Sequence, residues 1–337
     1  MHRTRAMFVG TASALASIGL VRYPAGAAEF SYKLSLDTPP KHNVTIRCLE
    51  AADRISRDSG GRLELKVFPN SQLGSENEVL SQMRLGAVEL SLMPDVNGSN
   101  VVPAAGLIAL PFVVNGDKEL LTVLTGGFAS YLRGEFSKVG LYMYGGTWET
   151  GGFRHIFNSI RPVSTSADMR GLKLRSSPTP EEVGAIKALS ATPVSIAQDQ
   201  VYPSLQTHLV DGAIASQTAL EAWKWYELAK YLSISNYGSA TETMLANSAA
   251  LQRLPKNLQD ILERNFEISR RANNIDLPGI DTAALERLKS NGMQVNNADI
   301  PSLQRAIREA GLYQNWKASY GQTAWTLFER SLGRTVG

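Results

Sequence analysis

The sequence predicts an α/β protein of two similar lobes enclosing a ligand cleft, with a group of helices at its carboxyl end. Three observations carry this. Strand-like alternation and helical spacing take turns from residue 29 onward, the same pattern restarts near Gly151, and the last third carries mainly helical spacing. A length of 337 residues suits about two domains of ordinary globular composition, 43% hydrophobic and 19% charged.

Each element has a local reason. "FSYKLSL" (30–36) alternates as a strand. A helix follows whose apolar stripe is Val44, Cys48, Ala51, Ala52 and Ile55, and it stops at Gly60-Gly61. "RLELKVF" (62–68) alternates again. Ser75 and Glu78 form a capping box for a helix ending near Gly86, and "VELSLM" (88–93) closes the first lobe's strand–helix pattern. "GGTWETGG" (145–152) reads as a flexible crossing between lobes, since it lacks the Lys-Ser/Thr that a phosphate loop needs.

In the second lobe "GFRHIFN" and "GLKLRS" read as strands. Thr179 as N-cap, Pro180 at the first position and Glu182 three after the cap open a helix. "PVSI" is a short strand, a helix covers 199–208, and "DGAIAS" (211–216) follows. Helices are expected at 255–275, about 281–292, 301–311 and 314–332. The division expected is a first lobe of 29–150 with about 241–280, and a second of 151–240 with about 281–337.

Residues 1–28 read as an export signal: Arg3 and Arg5, an apolar run from Ala6 to Val21, then small residues, with cleavage near Ala28. The formal charge of +3 belongs to that segment, because Arg3, Arg5 and Arg22 meet no acid there. Without it, basic and acidic residues are equal in number, which leaves no electrostatic pull on nucleic acid. The mature chain is expected to be periplasmic.

Motifs for chemistry are few. The single cysteine, Cys48, permits no internal disulfide and no cysteine-based metal site, and its place on an apolar stripe makes it a buried small hydrophobe. His2, His42, His155 and His208 are scattered, with no zinc-binding spacing, and there is no G-x-S-x-G elbow. The better signal is a pair of strand arginines, Arg154 in "GGFRHIFN" and Arg175 in "GLKLRSSP". A guanidinium is permanently charged and grips a carboxylate with two parallel hydrogen bonds. Arg175 lies just ahead of the Thr179 helix start, where the backbone is itself partly positive, so the pair calls for an anion. That anion is either Glu181 or Glu182, as a structural ion pair, or a ligand carboxylate.

Over nearly the whole mature chain the sequence resembles the solute-binding receptor of a TRAP (tripartite ATP-independent periplasmic) transporter, of the C4-dicarboxylate-binding type. The likeness runs through "SGGRLELKVFPNSQLGSENEVLSQMRLGAVEL" (59–90), "LPFVV" (110–114), residues 151–194, "VYPSLQTHLVDG" (201–212) and "WYELAKYLSIS" (225–235). The resemblance implies a bilobal periplasmic-binding-protein fold with no catalysis, cofactor or metal. It implies a small organic acid as ligand and TRAP membrane permease subunits as partners. It places Arg175 on the ligand carboxylate, Arg154 in support, and Glu76 as an acidic pocket residue; on this reading first-lobe groups near Glu76 and Asp95 close on the polar remainder.

The departures bear on specificity. Where the family commonly reads "VDG-x-E-N-P", this chain reads "VDGAIAS", with Ile214 for the acid, Ala215 for the amide and Ser216 for the proline. Upstream, Gln198 and Gln200 replace a frequent aromatic and glutamate. Gln198 and Gln217 are candidates for amide hydrogen bonds to the ligand, Ala215 for extra room, and Trp148 for a stacking surface or a place in the core. Trp223, Trp225 and Tyr226 read as core. Sugar acids, dicarboxylates, keto acids and amino acids all carry the required group. Two rivals on the same fold are a periplasmic lyase or isomerase, using His155, Glu76 or Asp95, and a ligand sensor.

Overall fold

The computed structural model describes residues 28–337, so the expected export signal lies outside the described residues but for its last position. The alternating segments form the strands expected of them. The first lobe contributes β1 (Phe30–Ser35), β2 (Leu63–Phe68) and β3 (Leu90–Pro94), and a short β4 (Leu141–Met143) lies beyond. Next come β5 (Trp148–Asn158), β6 (Lys173–Ser176), β7 (Thr192–Ser195), β8 (Gly212–Ala215), β9 (Tyr231–Asn247) and β10 (Gln294–Asn297). One sheet runs in the order β2-β1-β3-β9-β5-β8-β6-β7, with β4 and β10 also on β9.

Two strands bind the lobes into that single sheet. The 17-residue β9 pairs antiparallel with β3 through Glu242–Ala246, and with β5 from Tyr231 to Glu242. Alternation did not announce β9, since "YLSISNYGSATETMLAN" mixes Ser, Thr and Gly where a half-buried strand would alternate. Its polar residues are nonetheless buried, Ser239, Thr241 and Glu242 among them, because they border the cleft rather than a core.

The glycine crossing proves to be ordered strand. β5 begins at Trp148 and its register against β9 shifts between Glu149 and Phe153. Gly151 is required there: a Cβ would stand 2.0 Å from Thr218 Oγ1 and 2.2 Å from Ser216 Oγ. Gly152 at φ +59° supplies the left-handed turn of the bulge.

The helices follow their caps. Asn43–Asp58 buries Val44, Cys48, Ala51 and Ile55, and Cys48 is fully buried as expected. The Ser75 capping box opens Glu76–Leu85, which ends at left-handed Gly86. Two expected helices fuse into one of 35 residues, Lys256–Ser290, with Pro278 inside it, and the expected 314–332 helix is split at Gly321. The C-terminal helices pack against elements from both halves of the chain. Leu312–Tyr320 contacts both Pro180–Ala188 and Pro103–Ala109, and Gln322–Leu332 packs on Asp117–Thr125 and Gly127–Lys138. Trp325, Phe328 and Phe128 share that core.

Candidate ligand-binding site

A cavity of about 720 Å³, open at its mouth, lies where the carboxyl ends of the parallel strands of both lobes meet. This is the crevice in which open α/β sheets bind ligands, and the volume suits a small molecule. Asp37 and Asp95, just past β1 and β3, line it from the first lobe. Ser177 and Ser216, just past β6 and β8, line it from the second, and the Ser239–Glu242 stretch of β9 forms its floor.

Arg175 projects from β6 into this cavity and is 7% exposed. Its Nε donates to Ile196 O at 3.0 Å, which fixes the plane of the guanidinium. Among the described residues it forms no ion pair, although Glu182, Glu76 and Asp37 act on it through space. Burial pulls its pKa below the ordinary value, but a guanidinium stays charged across physiological pH. It is thus a buried cation with part of its fork uncommitted.

Arg154 is committed. Its Nη1 donates to Glu182 Oε1 at 2.6 Å, Nη2 donates to Ala109 O at 3.2 Å, and the guanidinium lies over the Tyr237 ring at 5.2 Å. Glu182 is 3% exposed, and its other oxygen accepts from Ser177 N. Burial pushes its pKa up, yet Arg154 and Arg175 together hold it below the ordinary carboxylate value. Of the two expected acid partners, then, Glu182 is the structural one, bonded to Arg154. Glu181 turns away and accepts from Tyr320 Oη at 2.9 Å. The expected reciprocal cap at Thr179 does not form: Glu182 reaches Ser177 N instead, and Thr179 Oγ1 is buried without a partner.

Opposite the arginines stands an acidic wall. Glu76 was expected there and so was Asp95, whose Oδ1 accepts from Thr243 Oγ1 at 2.6 Å. Asp37 and Glu242 join them, and neither was singled out in the sequence. Burial raises Asp95 to about 6 and Asp37 to about 7, and raises Glu76 against the pull of Arg175. Burial, then Asp37 and Asp95, push Glu242 well above the usual range. Asp37 and Glu242 hydrogen-bond to each other, so one proton serves both.

The remaining expected residues divide. Gln198 and Ala215 line the cavity. Trp148 does not: it is 1% exposed and belongs to the core cluster that holds Tyr144 and, from the long helix, Phe266. Gln217 is also absent from the lining, because its Nε2 donates to Asp281 Oδ2 at 2.6 Å and ties β8's following helix to the long helix. The tryptophan that does reach the cavity is Trp223, stacked on buried Trp225 at 5.5 Å. His42 also lines it and is held neutral, burial lowering it to about 4. His155, one of the three acid–base candidates with Glu76 and Asp95, lies outside the lining, and its Nδ1 accepts from the backbone of Ser235 and Asn236.

Residues 34–318 match the family model of the bacterial extracellular solute-binding proteins, family 7. The chain belongs to this family. Its members are binding proteins, so this solute-binding protein is a receptor and not an enzyme. It is 27% identical over 259 residues to the 2,3-diketo-L-gulonate-binding periplasmic protein of Escherichia coli, covering 77% of this chain and 76% of that one. It is 24% identical over 271 residues to the sialic acid-binding periplasmic protein of Vibrio cholerae, covering 80% and 83%. In fold it matches a TRAP periplasmic solute-binding protein of Sulfitobacter crystallised with β-D-galacturonate, with a TM-score of 0.85 at 22% identity over 90% of this receptor and 99% of that chain. No helix among the described residues is long and apolar enough to cross a membrane.

Proposed function

We propose that the receptor captures a small organic carboxylate on Arg175 and delivers it to the membrane permease of a TRAP-type secondary transporter. The observation that carries this is the buried, unpaired guanidinium at the centre of a two-lobed cavity. A charge in that position is unfavourable until an anion joins it. A bidentate carboxylate would add two charge-assisted bonds of about 1.5–3 kcal/mol each. Arg154 supports indirectly, by holding Glu182 so that it does not fold onto Arg175. Gln198 and Ser177 stand near enough in the lining to reach the ligand's other polar atoms, and Ala215 leaves room for its bulk.

The lobe division expected above is part of this reading, with β5 and β9 as the strands that flex when the lobes close. Closure needs contacts from both sides, and the acids of the first lobe facing Arg175 on the second provide them. Export through residues 1–28, with cleavage near Ala28, completes the reading. The basic, apolar and small-residue order of that segment supports it, as does a family match that begins at residue 34.

A thermal-shift screen of the mature protein against sugar acids, dicarboxylates, keto acids and amino acids tests the ligand class. Any hit is then titrated into Arg175→Ala. Affinity should fall by about a hundredfold or more, the loss of two charged hydrogen bonds. Binding retained within a few-fold would overturn the assignment.

A further inference from the structure

The cavity has a second half that the carboxylate leaves unanswered. Asp37, Asp95 and Glu242 are 9%, 5% and 4% exposed, and all three line the cavity. Asp37 and Asp95 close β1 and β3, while Glu242 sits opposite Pro94 in the β3–β9 register, so sheet order brings the three side by side. Asp95 Oδ2 is buried with no hydrogen-bond partner, and Asp37 Oδ1 and Glu242 Oε2 are buried in a pair of acids that have only each other's shared proton to meet them. Glu76 adds a fourth acid to the same wall.

Resting on the carboxylate reading above, we propose that the solute is a zwitterion: its carboxylate lies on Arg175, and a cationic nitrogen at its other end seats among Asp37, Asp95 and Glu242.

Charge counting favours this over a neutral polar end. Arg154 is neutralised by Glu182, and Asp37 and Glu242 share one proton, which leaves Arg175 against three negative charges, and a ligand that brought only a negative charge would worsen the imbalance. No Lys or Arg among the described residues forms an ion pair with any of the four, and His42 is held neutral, so the wall's positive partner must come from outside. Hydroxyl groups would offer donors to the orphaned oxygens but would leave the mutual repulsion of the acids in place. An ammonium offers three N–H donors together with the charge. Among the described residues no group of three His, Cys, Asp or Glu is arranged to hold a metal ion, which points to an organic cation rather than a metal. Trp223 contributes an aromatic face to the same cavity, a surface that attracts cations.

The test is isothermal titration of the mature protein with ω-amino, ω-hydroxy and dicarboxylic acids of matched length, from four to six carbons, together with D-galacturonate. The proposal expects the best amino acid to bind at least about tenfold tighter than its hydroxy and dicarboxylic counterparts. In Glu242→Gln that preference should shrink to about threefold or less, with affinity for the hydroxy acid held or improved. Hydroxy acids, dicarboxylates or galacturonate binding as tightly as the amino acids would overturn the zwitterion and leave the carboxylate reading standing. So would a preference that Glu242→Gln leaves unchanged. If instead Arg175→Ala bound the amino acids as well as the wild type, or no acid in the panel bound at all, the carboxylate reading itself would fall.

Discussion

Arg154 was expected to help hold the ligand, but its geometry makes it a pillar for Glu182, and the two roles predict different mutants. Replacing Arg154 with Met keeps an apolar stem against Tyr237 and removes the charge. Glu182, 3% exposed, then loses the guanidinium that sits 2.6 Å from its Oε1. Breaking a buried ion pair by removing one partner costs about 3–5 kcal/mol. Arg175 also attracts Glu182, so the lower end of that range applies. In a chain of this size about 2 °C of Tm is lost per kcal/mol, which gives a drop on the order of 6 °C. The same attraction costs affinity, because Glu182 now competes with the ligand's carboxylate for Arg175, a loss of about tenfold. Adding Glu182→Gln removes the competitor while keeping an acceptor for Ser177 N. The double variant should therefore recover most of both Tm and affinity. Calorimetry and titration calorimetry on the three proteins read this directly. If the double variant binds as poorly as Arg154→Met alone, or if Arg154→Met loses binding with Tm unchanged, then Arg154 touches the ligand and the pillar argument is wrong.

Other expectations follow from neighbouring features. Ala215→Asn places an amide in the cavity lining and should change the ranking of acids in a thermal-shift panel while leaving the requirement for a carboxylate intact; an unchanged ranking would mean that the side chain faces elsewhere. Trp148→Ala should lower stability by about 3–5 kcal/mol, measured by denaturant unfolding, without changing that ranking. Asp37→Asn should alter the pH dependence of the ligand-free protein. Asp37 is raised from 3.8 to about 7, so the stability it contributes is present below about pH 4 and is lost as pH rises to 7. The Asn variant should accordingly gain on the wild type across that window, by an amount on the order of a few kcal/mol, seen as a Tm difference that grows between pH 4 and 7. A constant difference would show that Asp37 titrates normally.

How far the sequence could be read depended on whether a residue's role was local. The Ser75 box, the Cys48 stripe and the Pro180 helix start are decided by neighbours within a turn or two, and each was legible. Arg175 was legible because an apolar strand delivers it beside a helix start. Asp37 and Glu242 were not, since each acquires meaning only when β1, β3 and β9 are laid side by side across some two hundred residues of chain. β9 itself escaped because its polar residues face a cleft and its buried apolar residues, Leu232, Tyr237, Met244 and Leu245, follow no regular alternation. Trp148, open between cavity and core, and Trp223, expected in the core, were hard to place for a related reason. Aromatic residues near a glycine crossing or at helical spacing look alike in sequence, and only the packing of the Lys256–Ser290 helix decides which one is covered.

The same contrast explains how the site stays charged without collapsing. Two arginines and five acids face one region, and they would neutralise one another if they were free to move. Glu182 is pinned from both ends, by Ser177 N and by Arg154, so it holds one cation and stops short of the other. Asp95 is pinned by Thr243, and Asp37 and Glu242 are occupied with each other. Arg175 is anchored through Nε alone, which leaves its fork directed at the cavity. Each restraint costs stability that an unconstrained salt bridge would have returned. Such a cost is retained where function requires an unmet charge, and here the unmet charges line one cavity.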